Sequence, residues 1–295
     1  MDIWVIYSRE MYIKKLKKGT INTLVNYAKN ILNLDVKYFS DSEFSIVTDG
    51  ATNKIFLNKV ELKEFPKIVF FKKYDLYLAR QFELNGIKVL NTAESMSISR
   101  NKLKTYQVLT KNNIKIPKTI YFSCGVNRKD FDYLDVALLM GSKKFVIKPS
   151  FGSKGKNIFL INNAKDFNNA ISQLKGICMF QEFIDTSKGK DLRSYVINGF
   201  YQGSAIRVND NDFRTNFNLG ARVLRLKDRI EEVRELAVKA ANAIGLWYCA
   251  VDILYDGKEY YVCEVNSVPG RTRRLNTNRR LLHRLSLELQ KLDEK

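Results

Sequence analysis

The sequence predicts an α/β protein, of the α+β kind over its second half, and three observations carry that prediction. Strand-patterned and helix-patterned segments alternate over the first ninety or so residues, the order that builds a small, largely parallel sheet. Further on, paired apolar strands are joined by glycine-containing turns. Near the carboxyl end, YCAVDILYDGKEYYVCEVNSVPGR, residues 248–271, reads as a hairpin around Asp256-Gly257 with two carboxylates on its strands. At 295 residues the chain is long enough for more than one hydrophobic core.

In order, a strand is expected over Asp2–Ser8, a helix over Ile21–Leu32 and strands at Val36–Phe39, Ile68–Phe71 and Ile87–Leu90, with a helix at Asp75–Leu84. No GxGxxG follows the first strand, so no dinucleotide site is predicted there. Ser97–Asn113 reads as one helix, with Met96, Ile98, Leu103, Tyr106, Val108 and Leu109 apolar and Pro117 beyond its end. Lys144–Ile161, KFVIKPSFGSKGKNIFLI, is a strand ending at Lys148-Pro149, a loop with Gly152, Ser153 and Gly155, and a strand from about Ile158. Glycines there let the backbone approach phosphates while a strand lysine supplies a point charge. GxxxxGK[ST] is absent and a strand follows, so this is not a P-loop. ICMFQEFI, residues 177–184, is a buried strand ending with Glu182; Asp191 opens the next strand, Asn198-Gly199 turns it, and the return reaches Arg207. Asp191 and Arg193 share a face by parity, and a surface ion pair of little weight would explain Arg193 as well. Asp228–Ile244 is an amphipathic helix with Ile230, Val233, Leu236, Ala237, Ala240 and Ile244 as its core stripe and Gly245 as its stop.

In the hairpin, Glu264 and Asn266 share one face because side chains alternate, while Tyr261, Cys263 and Val265 are expected on the buried one, as are Cys249, Val251 and Ile253 on the first strand. Asp252 joins Glu264 and Asn266 only if the connection holds an odd number of residues, since one residue of register flips every side chain. A three-residue loop with Gly257 in the left-handed region is the prediction. Two carboxylates and a carboxamide oxygen so placed suit a hard divalent cation shared with substrate phosphates. A merely solvated polar face would read the same from the hairpin alone.

Composition narrows the function. Hydrophobic and charged contents of 45% and 27% are those of an ordinary soluble protein. MDIWVIYS shows neither a signal peptide nor a spanning run, so a cytoplasmic protein with no membrane partner is expected. Cys124, Cys178, Cys249 and Cys263 form no CxxC and read as buried hydrophobes in a reducing compartment. His283 is the only histidine, which leaves no His-based metal site or Ser-His-Asp triad. The formal charge of +19 predicts attraction to polyanions without choosing among nucleotide, acidic peptide and nucleic acid. Six arginines and one histidine with no acidic residue lie between Arg271 and Arg284, either a solvated helix face or an anion-binding rim.

Asn266-Ser267-x-Pro269-Gly270 after a strand ending in Glu264 resembles the signature of ATP-grasp ligases, and more closely their RimK-like branch. KPxxGSxG at Lys148 resembles the glycine loop those enzymes fold over ATP, and Phe213-Arg214-Thr215-Asn216 their FRSN segment, with threonine for serine. The resemblance runs from about residue 67 to Gly270, with the motifs in family order. It implies an ATP-grasp fold preceded by a small Rossmann-like domain, divided as 1–97, 98–182 with the glycine loop, and 183–295 with the metal site and basic tail.

By that resemblance Lys102, Lys148, Gly152, Ser153 and Gly155 bind nucleotide phosphates, Glu182, Phe183 and Ile184 lie at the adenine, and Asp191 contacts the ribose. Arg214, Thr215 and Asn216 touch nucleotide and substrate, Arg207 and Arg214 act on the reacting groups, and Asp252, Glu264 and Asn266 hold Mg²⁺, with Mn²⁺ as an alternative. The implied reaction forms an acyl phosphate from ATP and a carboxylate, which an amine then attacks, releasing ADP and phosphate. Such enzymes join an amino acid, commonly glutamate, to a peptide, protein or cofactor, and some crosslink side chains within a peptide. An acidic acceptor suits the positive charge, and homo-oligomers are common in such ligases. A basic nucleic-acid-binding protein is the rival from another class, though no zinc knuckle, helix-turn-helix or aromatic platform supports it.

Overall fold

In the computed structural model the described residues are 2–50, 52–123, 131–152, 155–174, 176–226, 230–270 and 277–294. The chain opens with β1 (Ile3–Tyr7), α1 (Arg9–Lys17), α2 (Thr20–Leu32) and β2 (Val36–Ser40). A small antiparallel sheet follows, β3 (Phe44–Thr48), β4 (Asn53–Leu57) and β5 (Val60–Glu61), and then β6 (Ile68–Phe71), α3 (Leu76–Leu84) and β7 (Lys88–Leu90). Strands β2, β1, β6 and β7 lie in that order, all parallel. The parallel sheet matches the alternation in the sequence. Helix α1 and the β3–β5 sheet were not expected.

The single helix expected over Ser97–Asn113 is two: α4 (Ala93–Arg100) and α5 (Lys102–Lys111). Asn101 breaks it. Its backbone is extended, its Oδ1 accepts from the amides of Leu103 and Lys104 at 3.0 and 3.2 Å, and Ser150 Oγ donates to the same oxygen at 2.7 Å. Asparagine side chains compete with helix backbone in this way, and apolar spacing carries no trace of it. The break sets Lys102 in the first turn of α5 beside the end of a strand.

Next come β8 (Thr119–Ile120), α6 (Tyr133–Met140), β9 (Phe145–Pro149), β10 (Phe159–Ile161), α7 (Ala164–Gln173) and β11 (Cys178–Glu182), whose strands pair antiparallel in the order β10-β9-β11-β8. A five-stranded antiparallel sheet follows, in the order β14-β13-β12-β15-β16. Its members are β12 (Lys190–Ile197), β13 (Phe200–Val208), β14 (Arg222–Arg225), β15 (Tyr248–Tyr255) and β16 (Tyr260–Asn266). Asn198 and Gly199 both take positive φ at the predicted turn, as a two-residue hairpin of that twist requires. Helix α8 (Glu231–Ile244) packs Val233, Ala237, Ala240 and Ile244 against this sheet and stops at Gly245, φ +75°. It begins later than expected, and Asp228 lies outside the described residues. Helix α9 (Thr277–Asp293) crosses to α2, so Leu281, Leu282, Leu285 and Leu289 share a core with Ile3, Val5, Tyr195 and Tyr248.

Candidate active site

Asp252 and Glu264 share a face, as predicted, but by a different route from the one the sequence suggested, and they pair directly. The loop from Asp256 to Glu259 has four residues, not three: Tyr255 pairs with Tyr260, and Asp256 Oδ1 accepts from the amides of Lys258 and Glu259, both at 2.7 Å. An even loop alone would set Asp252 opposite Cys263. A bulge supplies the missing residue, since Ile253 pairs with Val262 while Asp252 pairs with Glu264, leaving Cys263 over. The faces expected for Tyr261 and Cys263 are corrected with it: Val262 and Val265 are buried in the core, while Tyr261 and Cys263 are only partly covered and the latter lines a cleft. Tyr106 pins the bulge, its hydroxyl donating to the Cys263 carbonyl at 2.6 Å.

A row of charge therefore crosses the sheet. Asp191 pairs with Arg207, Arg193 with Asp252, and Asp252 with Glu264. Arg193 Nη1 reaches both Asp252 oxygens at 2.9 and 3.0 Å. Arg207 joins Asp191 by two hydrogen bonds and approaches Asp252 at 3.0 Å. Arg193 is buried, so the surface ion pair is excluded. Asn266 Nδ2 donates to Asp252 at 3.2 Å, and Lys102 Nζ lies 3.2 Å from Glu264.

Burial, with Asp191 and Glu264 as like-charged neighbours, holds the Asp252 carboxyl above the ordinary carboxylate range against the pull of Arg193 and Arg207. At Glu264 burial acts the same way, but Lys102 and Lys148 outweigh it and the net shift is downward. Asp252, Glu264 and Asn266 sit together at the β15–β16 pairing and are oxygen-bearing side chains of the kind that could hold a hard divalent cation, although here the carboxylate oxygens face Arg193, Arg207 and Lys102. Among the described residues no group of three histidine, cysteine or acidic side chains is placed to hold a metal ion by itself.

One cleft gathers the other expected residues. Lys102, Lys148, Glu182, Phe183, Ile184, Asp191, Arg207, Arg214, Thr215, Asn216, Asp252 and Glu264 all line it. Val146, Ile158, Leu254 and Phe213 add apolar wall, so the lining combines apolar side chains, Phe183 and Ile184 among them, with cations. Lys148 is buried, its Nζ donating to the Tyr106 hydroxyl at 2.8 Å and to Gln181 at 2.6 Å. Glu182 accepts from the Lys118 amide at 3.1 Å, and Thr215 donates to Asp191 at 2.6 Å.

The described glycines at the two sides of the loop are each held by a cation of the cleft. Lys102 Nζ donates to the Gly152 carbonyl at 3.3 Å and Arg214 Nη1 to that of Gly155 at 2.8 Å. Gly155 takes φ +69°, and a Cβ there would meet the Asn216 carboxamide, so only glycine suits this closure. Ser153 lies outside the described residues, as do Arg271, Arg273 and Arg274 of the basic tail.

Tyr106, Gln181 and Asp212 were missed. Asp212 clamps Arg214 through Nε at 3.0 Å and Nη2 at 2.7 Å. A glutamine in the apolar run ICMFQEFI was the available signal for Gln181; Tyr106 read as core, and for Asp212 there was none.

The RimK-like ATP-grasp domain family matches residues 99–281. A probable alpha-L-glutamate ligase of Stenotrophomonas maltophilia (strain K279a) is 32% identical over 202 residues, covering 67% of this chain and 67% of that protein. One of Shewanella pealeana (strain ATCC 700345 / ANG-SQ1) is 33% identical over 201 residues, 67% of this chain but 43% of its own length. Among solved structures, the ATP-grasp ligase PsnB complexed with minimal precursor has a TM-score of 0.69 at 19% identity, over 98% of this chain and 99% of that one. The VanG D-Ala:D-Ser ligase from Enterococcus faecalis reaches 0.71 at 16% identity, over 98% of each chain. These structural likenesses show a shared fold, and no helix among the described residues is long and apolar enough to cross a membrane. The chain belongs to the RimK-like ATP-grasp family of carboxylate-amine ligases.

Proposed function

We propose that this ligase uses ATP, with Mg²⁺ or Mn²⁺, to join an amino acid such as glutamate to a carboxylate of an acidic peptide or protein. The observation that carries the reading is a single cleft whose lining holds both apolar side chains, Phe183 and Ile184 among them, and the cations Lys102, Lys148, Arg207 and Arg214. The apolar side chains take the flat base, next to backbone groups of 182–184 that can read its edge. The cations of the lining take the triphosphate, with the lysines as point charges.

A carboxylate and ATP are both anions, and holding them in line opposes charge with charge. Lys102, Lys148 and Arg207 offset that repulsion and stabilise the charge on the transferring phosphoryl group. Asp252, Glu264 and Asn266 would hold the divalent cation, which when bound supplies Lewis acidity and a template for phosphate oxygens. The glycine loop, held through Gly152 and Gly155, excludes water that would hydrolyse an acyl phosphate. No protein nucleophile enters this scheme. The strand pairings support a division into units at 1–97, 98–182 and 183–295, since each of the three larger sheets falls within one of them.

The test is ADP release from Mg-ATP across panels of amino acids and acidic peptides, with product masses. Gain of one amino-acid residue identifies ligation, and loss of water alone identifies crosslinking within the peptide. Absence of ADP release with every pair overturns the reading.

A further inference from the structure

Three arginines of α9 are held by rings and a backbone carbonyl rather than by acids. The Arg284 guanidinium sits 3.8 Å from the Phe200 ring centroid, and that of Arg279 lies 5.1 Å from Tyr27. Arg280 Nη1 donates to the Gln202 carbonyl at 2.7 Å. Among the described residues, none of the three pairs with a carboxylate. Together with His283 they line a groove of about 460 Å³, within the ~300–1,000 Å³ range of ligand-sized sites. None of its residues lines the active-site cleft.

A guanidinium stacked on a ring keeps its in-plane N–H groups free, and that planar fork matches a carboxylate. Two such groups, with Arg280 beside them on the same helix, suit an occupant carrying several carboxylates. Single-stranded nucleic acid would need open aromatic faces for its bases, and guanidinium groups already lie over both rings. The groove also has reach. Gln202 lies five residues from Arg207 along β13, about 17 Å at strand spacing, which an extended peptide of about five or six residues spans.

We propose that this groove docks an acidic segment of the polypeptide acceptor, about five or six residues from the carboxylate that reacts. The inference rests on the reading of the chain as a ligase acting on peptides. It assigns the basic helix a task separate from catalysis: raising the local concentration of acceptor at the cleft.

The test is fluorescence anisotropy of a labelled oligoglutamate peptide with the full chain and no nucleotide, which requires no turnover. Arg279→Gln, Arg280→Gln and Arg284→Gln combined should weaken binding about tenfold or more. The corresponding Lys replacements, which keep the charge but lose the fork, should bind with an affinity between the parent and the Gln variant, and added salt should weaken binding. An oligoglutamine peptide should bind far more weakly than oligoglutamate. Thermal melting of each variant checks that α9 is still packed. Unchanged affinity in a folded Gln variant overturns the proposal, as does displacement of the peptide by oligothymidylate at lower concentrations than oligoglutamate needs, which would mark a nucleic-acid surface. In ADP-release assays the Gln variant should raise KM for acidic peptide and leave KM for ATP unmoved. If no peptide elicits ADP, the ligase reading has failed, while the anisotropy result still decides whether the groove binds acidic peptide.

Discussion

Asn91 grips Tyr248 by both of its backbone groups: Oδ1 accepts from the Tyr248 amide at 2.8 Å and Nδ2 donates to its carbonyl at 2.7 Å. The same Nδ2 donates to the Ser267 carbonyl at 2.9 Å. One buried side chain thus ties the end of the parallel sheet to both strands of the hairpin that carries Asp252 and Glu264. Asn91→Ala leaves buried backbone groups without partners, at about 1–3 kcal/mol each. Thermal unfolding should fall well below that of the parent, and an unaltered melting point would show that the tie carries no weight.

Lys148→Ala and Glu264→Gln should each lower ligation by about a hundredfold or more, as losing one preorganised electrostatic contact does. Lys148 already donates to Tyr106 and Gln181 and is poised over the cleft before any ligand arrives. Steady-state rates in Mg-ATP check both, and near-parental turnover by Glu264→Gln would exclude it as a cation ligand.

Arg193→Met is expected to destabilise the fold by about 3–5 kcal/mol, because it strips a buried carboxylate of one of its two guanidinium partners. Denaturant titration measures the loss. A double variant, Arg193→Met with Asp252→Asn, should recover part of it, whereas additive losses would mean the pair is not coupled.

Glu288 binds Lys88 of β7 at 2.6 Å and Lys291 at 3.3 Å, and accepts from Asn198 at the β12–β13 turn at 2.5 Å. Burial raises its pKa, but Lys88 and Lys291 outweigh burial and the net shift is downward. A carboxylate depressed in the folded state contributes stability above its unfolded pKa, and that contribution is lost as pH falls through the folded value. Glu288→Gln should therefore lower stability at neutral pH and flatten its acid dependence below the ordinary carboxylate pKa. Melting curves from neutral to acid pH for both chains would show the slopes diverge; parallel slopes would contradict the assignment.

Much of the cleft was legible because its residues are the local kind. Glycines at 152 and 155, the Asn198-Gly199 turn and the i, i+2 parity of Glu264 and Asn266 follow from covalent geometry and φ preference, which a linear string records. The Ser97–Asn113 helix was misread because apolar spacing is continuous through Asn101. What breaks it is the Asn101 side chain turned onto the amides of Leu103 and Lys104, where it also accepts from Ser150, 49 positions away in sequence.

By itself the sequence determined which residues could carry charge to a phosphate and that Lys148, Asp191, Arg207, Asp252 and Glu264 would lie on strands, since both depend on residue type and on neighbours one or two places away. Only the tertiary structure decided that Asp252 meets Glu264, because the bulge at Cys263 is held by the Tyr106 hydroxyl from another helix. It alone decided that Arg193 and Arg207 share Asp252 in a buried row, and that the α9 arginines rest on Tyr27 and Phe200. Those are contacts between segments far apart in the chain, set by packing of whole elements, and no local rule of spacing encodes them.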